Sequence, residues 1–241
     1  MKNIIYIGSL LLIFALSGCE GDLETEGVSR TTYFANFEFE GEEVEYTTPG
    51  AFTDPGVIAT EDGAMLEHTT SISGLYTGYS DSDVAVMDIY SFTYTAINSD
   101  GYPGSAVRTV YAMNPNEDMT VGLEGVYTAS TVRNDGSTSS DIEVWISKTG
   151  TNTYTLSHAS GGFYSEGFGY GDGYRAGGAT VTINDLASND FTTTQGLYPA
   201  WGNTITIQNF DVNAGTNTIT YDAISDFASG RTWVVTLVQT P

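Results

Sequence analysis

The sequence predicts an all-β fold, and three observations carry the prediction. Apolar residues alternate with polar ones over short runs, as in "RTWVVTLV" at 231–238, where Trp233, Val235 and Leu237 share one face and Thr232, Val234 and Thr236 the other. These runs are rich in β-branched and aromatic residues and are separated by Gly, Asn, Asp and Ser clusters. No apolar-periodic stretch of helical length interrupts them.

The chain opens with Lys2, an apolar run from Ile4 to Leu16, and then Leu16-Ser17-Gly18-Cys19. An apolar core of about thirteen residues is too short to span a bilayer core of roughly 30 Å as a stable helix. It reads instead as a secretory leader covering residues 1–18. Cys19 is the sole cysteine, so no intramolecular disulfide can form. The quartet resembles a bacterial lipobox, which implies that Cys19 is acylated and becomes the first residue of a lipid-anchored protein. The acidic segment 19–29, "CEGDLETEGVS", is expected to be a solvated spacer. Acid-rich segments in this position resemble the surface-export signal of Bacteroidetes lipoproteins, which implies an outer-membrane anchor and surface exposure.

Strands expected in the first module, 30–115, are 31–39, 42–47, 86–97 and 106–113, at the spacing of a small β-sandwich. The linker "NPNEDM" at 114–119 follows, and charge changes across it: residues 19–116 carry 17 acids and 2 bases, residues 117–241 carry 13 and 4. In the second module, 116–241, strands are expected at 125–132, 141–147, 153–158, 179–184, 203–210, 217–224 and 231–238, with 162–170 a further candidate. Seven or eight such strands suit an antiparallel barrel, which removes exposed edges.

Two stretches carry a resemblance to known families. "YSFTYTAINSDGYPGSAVRTVYAM" in the first module resembles the closing strands of bacterial immunoglobulin-like surface modules. "GVYTASTVRNDG", "GGFYSEGFGYGDGYRAGG" and "ISDFASGRTWVVTLV" resemble the lipocalin-like, or calycin-like, C-terminal barrel of Bacteroidetes lipoproteins that pair it with such a module. The resemblance implies an Ig-like β-sandwich followed by a lipocalin-like barrel. It implies no activity.

The stretch 161–178 packs eight glycines and five aromatic rings into eighteen residues. The G-x-G-x-x-G spacing and the helix that nucleotide loops require are absent. Two readings remain open. The rings fill the interior of a kinked barrel strand, with glycines allowing bulges. Alternatively, Phe163, Tyr164, Phe168, Tyr170 and Tyr174, joined by Tyr198 and Trp201, present ring faces to a sugar or a small apolar ligand. Arg175 closes the stretch, either steering an anionic group or pairing with a nearby acid.

The chain has 30 acids against 7 bases and a formal charge of −23, which disfavours nucleic acid and anionic membrane surfaces as partners. The acidic groups Asp81/Asp83, Asn98/Asp100 and Glu117/Asp118 do not fit a calcium loop and are equally explained by turn chemistry. His68 and His158, the only histidines, fall in different modules, and neither H-E-x-x-H nor G-x-S-x-G occurs. A carboxylate pair of the glycosidase kind remains compatible with thirty acids but is marked by nothing. The expectation is therefore a non-enzymatic, lipid-anchored binding protein with neither cofactor nor metal. The rival is a structural lipoprotein that contacts an outer-membrane partner protein and takes no small ligand.

Overall fold

The computed structural model describes residues 31–240; the leader, Cys19 and the acidic spacer lie outside the described residues. Sixteen strands follow in chain order. The first seven are β1 (Asn36–Phe39), β2 (Val44–Thr47), β3 (Val57–Glu61), β4 (Ala64–Met65), β5 (His68–Gly74), β6 (Asp88–Ile97) and β7 (Pro103–Ala112). The remaining nine are β8 (Gly125–Arg133), β9 (Thr138–Lys148), β10 (Thr153–Leu156), β11 (Thr180–Asp185), β12 (Asp190–Thr193), β13 (Gly196–Tyr198), β14 (Asn203–Asn213), β15 (Thr218–Ser225) and β16 (Thr232–Gln239). The protein is all-β.

β1–β7 form two sheets, ordered β1-β3-β4 and β2-β7-β6-β5. β6 sets the interior by simple alternation: Asp88, Tyr90, Phe92, Tyr94 and Ala96 are all buried while their neighbours face outward. Its ten-residue antiparallel ladder with β7 runs from Asp88↔Ala112 to Ile97↔Pro103, and β2 adds to the other side of β7 in parallel. Val57 of β3 and the half-buried Phe37 and Phe39 of β1 pack against Tyr90, Phe92, Tyr94, Val110 and Ala112, so the two sheets share one apolar layer. Strand formation is narrower than expected at the start, where pairing begins at Asn36 rather than at 31. β5, "HTTSISG", was not expected, because an exposed strand of polar residues shows no alternation.

β8–β16 form one antiparallel nine-stranded sheet ordered β12-β11-β10-β9-β8-β16-β15-β14-β13. The last strand closes on the first through Trp233↔Arg133 to Gln239↔Tyr127, so the chain winds outward from β8 and returns beside it. The sheet curls around Tyr127, Val144, Ile146, Leu156, Ile205, Ile219, Tyr221, Trp233, Val235 and Leu237, all buried. It is a half barrel, not a continuously hydrogen-bonded barrel: β12 and β13 share no ladder. The seam is held by the Gly177↔Leu197 bridge and by Thr193 Oγ1 donating to Ile207 O at 2.9 Å.

The segment 162–170 is not a strand, which corrects that expectation. Phe163–Gly167 is a single π-helical turn and Asp172–Tyr174 a 3₁₀ turn. Two consecutive left-handed residues, Gly161 (φ 59°) and Gly162 (φ 70°), break the pleat before it. A Cβ at Gly162 would run into Ile142 Cγ2 and lie 2.9 Å from Glu166 Oε2, so both the backbone conformation and the space demand glycine.

Residues 114–124 are strapped onto the half barrel. Asn116 Nδ2 donates to Thr240 O at 2.5 Å, Gln239 Nε2 to Glu117 O at 2.9 Å, and Lys148 Nζ pairs with Glu117 at 2.8 Å. Met119 and Leu123 are buried in the C-terminal core. A small cluster also joins the two halves: Met87, Tyr76, Ile89, Tyr111 and Met113 pack on Val126 and Trp145. This covering explains why β9 is buried on both faces from Val144 to Ser147, where an uncovered strand would alternate. Ala35–Pro241 accordingly form one compact unit.

Candidate functional site

At one end of the half barrel the β8–β9, β13–β14 and β15–β16 turns meet the long connection from β10 to β11. There Arg133, Tyr164, Tyr170, Trp201, Phe227, Ala228, Ser229 and Arg231 line a cleft of about 470 Å³. Its floor is core: Phe163 and Trp233 are buried, with Tyr164 in edge-to-face contact with Phe163 at 5.2 Å and with Trp233 at 5.9 Å. Its rim is exposed. Tyr170 is 52% accessible and stacks on Tyr164 at 5.9 Å, while Trp201 is 39% accessible and meets Tyr164 edge-on at 4.9 Å and Phe227 at 5.3 Å.

The sequence candidates divide among these layers. Tyr164, Tyr170 and Trp201 line the cleft. Tyr174 buttresses Trp201 from outside at 4.7 Å, and Phe168, 44% accessible, leans on Phe163 at 4.9 Å. Tyr198 is wholly buried beneath them, 5.5 Å from Trp201. Arg175 does not join the cleft: it pairs with Asp172 at 3.1 Å, donates to Leu75 O at 2.9 Å and lies 4.9 Å over the Tyr76 ring, so it ties the connection to the N-terminal half.

Two arginines frame the cleft. Arg133 holds Asp135 bidentately, Nε to Oδ1 at 3.0 Å and Nη2 to Oδ2 at 2.7 Å, and donates to the Tyr164 hydroxyl at 3.1 Å. Its guanidinium also lies 5.0 Å from the Phe163 ring centre. Arg231 reaches the same Asp135 oxygen at 2.7 Å. The Arg133 hydrogen bonds, reinforced by the Ser137 N–H, hold the Asp135 carboxyl well below the usual carboxylate range.

Behind the rim, Ser157, His158 and Glu166 form a hydrogen-bonded series. Ser157 Oγ lies 2.6 Å from His158 Nδ1, and His158 Nε2 lies 3.0 Å from Glu166 Oε1. Ser165 donates to the other Glu166 oxygen. The series has the groups of a hydrolytic triad, but Ser157 is 1% exposed and its Oγ accepts the Trp145 N–H at 2.9 Å, leaving no open face. The carboxylate also sits on the nitrogen where a triad serine would be. Its evident effect is mechanical, since it pins the C-terminal part of the π-helical turn that carries Phe163 and Tyr164 back to His158.

That pin is acid-sensitive. Burial raises the Glu166 carboxyl, but bonds from His158 and Ser165 outweigh it and leave the group below its ordinary value. A depressed carboxyl contributes stability above its unfolded value of about 4.3, and the contribution is lost as pH falls toward the folded value. Thermal midpoints between roughly pH 5 and pH 3 are therefore expected to fall less in Glu166→Gln than in wild type. Parallel slopes for the two proteins would contradict the pin.

The profile of a family described as a C-terminal domain matches residues 116–239, just over half of the 241. The chain belongs to this family. The matched segment contains every residue lining the cleft. The crystal structure of the lipoprotein BT2262 from Bacteroides thetaiotaomicron is similar in fold, with a TM-score of 0.54 at 24% identity, covering 86% of this chain and 100% of that one. A redesigned β-barrel covers 52% of this chain and 97% of its own at 13% identity, with a TM-score of 0.35. Comparison with curated proteins gives no match.

Sequence reasoning missed Arg133, Arg231 and Phe227. The signal for the arginines was present: stepping by two outward from Trp233, Val235 and Leu237 reaches Arg231, and from Tyr127, Ala129 and Thr131 reaches Arg133. Inward parity at a strand end places a side chain at the rim. Of the acidic groups, two act as turn braces: Asp118 accepts from Thr120 N and Oγ1, both at 2.8 Å, and Asp83 from the Tyr79 hydroxyl at 2.9 Å. Among the described residues no cluster of three or more His, Cys, Asp or Glu is arranged to hold a metal.

Proposed function

We propose that this protein is a lipid-anchored envelope protein, acylated at Cys19, that binds a saccharide in the cleft at the end of its C-terminal half barrel and catalyses no reaction. The observation that carries this reading is that Tyr170 and Trp201 keep 52% and 39% of their surface exposed while converging on one cleft floored by Tyr164. Rings that served only as core would be covered. Exposed aromatic faces above a rigid apolar floor suit the C–H faces of a sugar, whose hydroxyls stay wet at the rim.

The Ig-like reading of the first module makes it a spacer between the outer membrane and the cleft. Fold similarity to a lipoprotein over 86% of the chain supports the lipid-anchored reading, as does the lipobox. The inaccessible Ser157 leaves the Ser157–His158–Glu166 series without a nucleophile open to substrate.

A second reading, an assembly subunit docking on an outer-membrane protein, draws on β2. There Val44 and Tyr46 are exposed on a strand that ends its sheet.

A glycan array probed with wild type and with Tyr170→Ala/Trp201→Ala separates the two. Two ring contacts contribute about 1–3 kcal/mol together, so the double variant is expected to lose roughly ten- to a hundred-fold in affinity. Absence of any glycan signal from folded wild type would favour the assembly reading.

A further inference from the structure

Five bases occur among the described residues, and four are occupied within the fold. Arg108 is buried against Asp54, Lys148 pairs with Glu117, Arg175 pairs with Asp172 and covers Tyr76, and Arg133 is chelated by Asp135. Arg231 differs. Among the described residues its side chain makes one hydrogen bond, from Nη1 to a carboxylate that already has a bidentate partner, and its Nε and Nη2 donate to none. It remains 33% exposed on the cleft wall.

The local charge follows. The lining contains two arginines and no acid, and one shared aspartate balances one of them. Asp226, next to Phe227, is turned away, accepting from Asn203 Nδ2 at 2.8 Å and from Thr204 N and Oγ1 at 3.0 Å. Among the described residues, one cation thus has only a shared carboxylate to balance it, and it lies beside the exposed rings. The distant acids do not cancel it, because at physiological salt the screening length is about 8 Å, whereas a group hydrogen-bonded to Arg231 would lie at about 3 Å.

We infer that the cleft selects an acidic saccharide, whose ring lies on Tyr170 and Trp201 and whose carboxylate or sulfate is held by Arg231. The planar guanidinium offers Nε and Nη2 as a fork matched to two oxygens of one anionic group. The inference rests on the saccharide-binding reading and narrows it to one substrate class.

Calorimetric titration with oligogalacturonate, its methyl-esterified neutral counterpart and a sulfated chondroitin oligosaccharide tests it, using wild type, Arg231→Gln and Arg231→Lys. The expected result is at least about tenfold tighter binding of an acidic ligand than of the neutral one by wild type, weakened by added salt. Arg231→Gln lowers acidic binding at least about tenfold more than neutral binding, which abolishes the preference, and Arg231→Lys retains part of it. Preference for the uronate identifies carboxylate as the recognised group, and preference for chondroitin identifies sulfate. Equal binding of acidic and neutral ligands, unchanged in Arg231→Gln, overturns the inference and leaves the saccharide reading standing. No binding of any saccharide by the folded wild type overturns both.

Discussion

Asp54→Ala is expected to lower the unfolding free energy by about 3–5 kcal/mol, the cost of stranding a buried charge. Arg108 projects from β7 into the layer between the two N-terminal sheets and is completely buried. Its Nη1 contacts Asp54 at 2.5 Å, and its Nη2 donates to Glu40 O at 2.7 Å and Gly56 O at 3.0 Å. The two carbonyls belong to the residues just after β1 and just before β3, so one side chain ties the smaller sheet to the larger. Among the described residues Asp54 is the only charge that pairs with it, and it also accepts from the Tyr94 hydroxyl at 2.6 Å and from Gly56 N at 3.1 Å. Removing the carboxylate leaves the guanidinium in contact with carbonyls and the rings of Phe39 and Tyr94, which stabilise it but do not neutralise it. Urea denaturation followed by circular dichroism measures the loss. Asp54→Ala/Arg108→Met should recover most of it, because an apolar side chain in that layer carries no desolvation penalty. A single variant within about 1 kcal/mol of wild type would mean that the carbonyls alone hold the arginine.

The arginine was invisible in the sequence, and the reason is physical. Read along β7, "PGSAVRTVYA" places Arg108 in phase with Val110 and Ala112, an inward position that alternation assigns to an apolar side chain. Its partner comes from a loop 54 residues away. Alternation made β6, β15 and β16 legible because each has one face in the core and one in solvent. It missed β5, whose polar residues are exposed on both faces, and it failed at 161–178, where successive left-handed glycines convert an apparent strand into a π-helical turn. The ring cluster was legible as composition, but its division into floor and rim depends on that turn and on the His158–Glu166 pin. The Arg133–Asp135–Arg231 group needed both strand parity and the β8–β16 pairing, and only the first can be read from sequence.

The same turn makes two neighbouring rings behave differently on truncation. Phe163→Ala is expected to cost about 3–5 kcal/mol, because it empties a fully buried site that the half barrel cannot collapse to fill. The vacated ring packs at 4.9 Å from Phe168, 5.2 Å from Tyr164 and 6.0 Å from Trp233, and it lies 5.0 Å beneath the Arg133 guanidinium. Its loss therefore loosens the cleft floor as well as the core. Tyr170→Ala, seven residues on, removes a ring that is 52% exposed and should cost less than about 1 kcal/mol while lowering saccharide affinity. Measuring denaturation midpoint and ligand affinity on both variants tests whether floor and rim are distinct. If Tyr170→Ala destabilises as much as Phe163→Ala, the rim is part of the core and the cleft loses its claim as a recognition surface. If Tyr170→Ala leaves stability intact and affinity falls, the exposed rings owe their position to ligand and not to folding, because glycine-flanked aromatics held half in water contribute little to the fold that presents them.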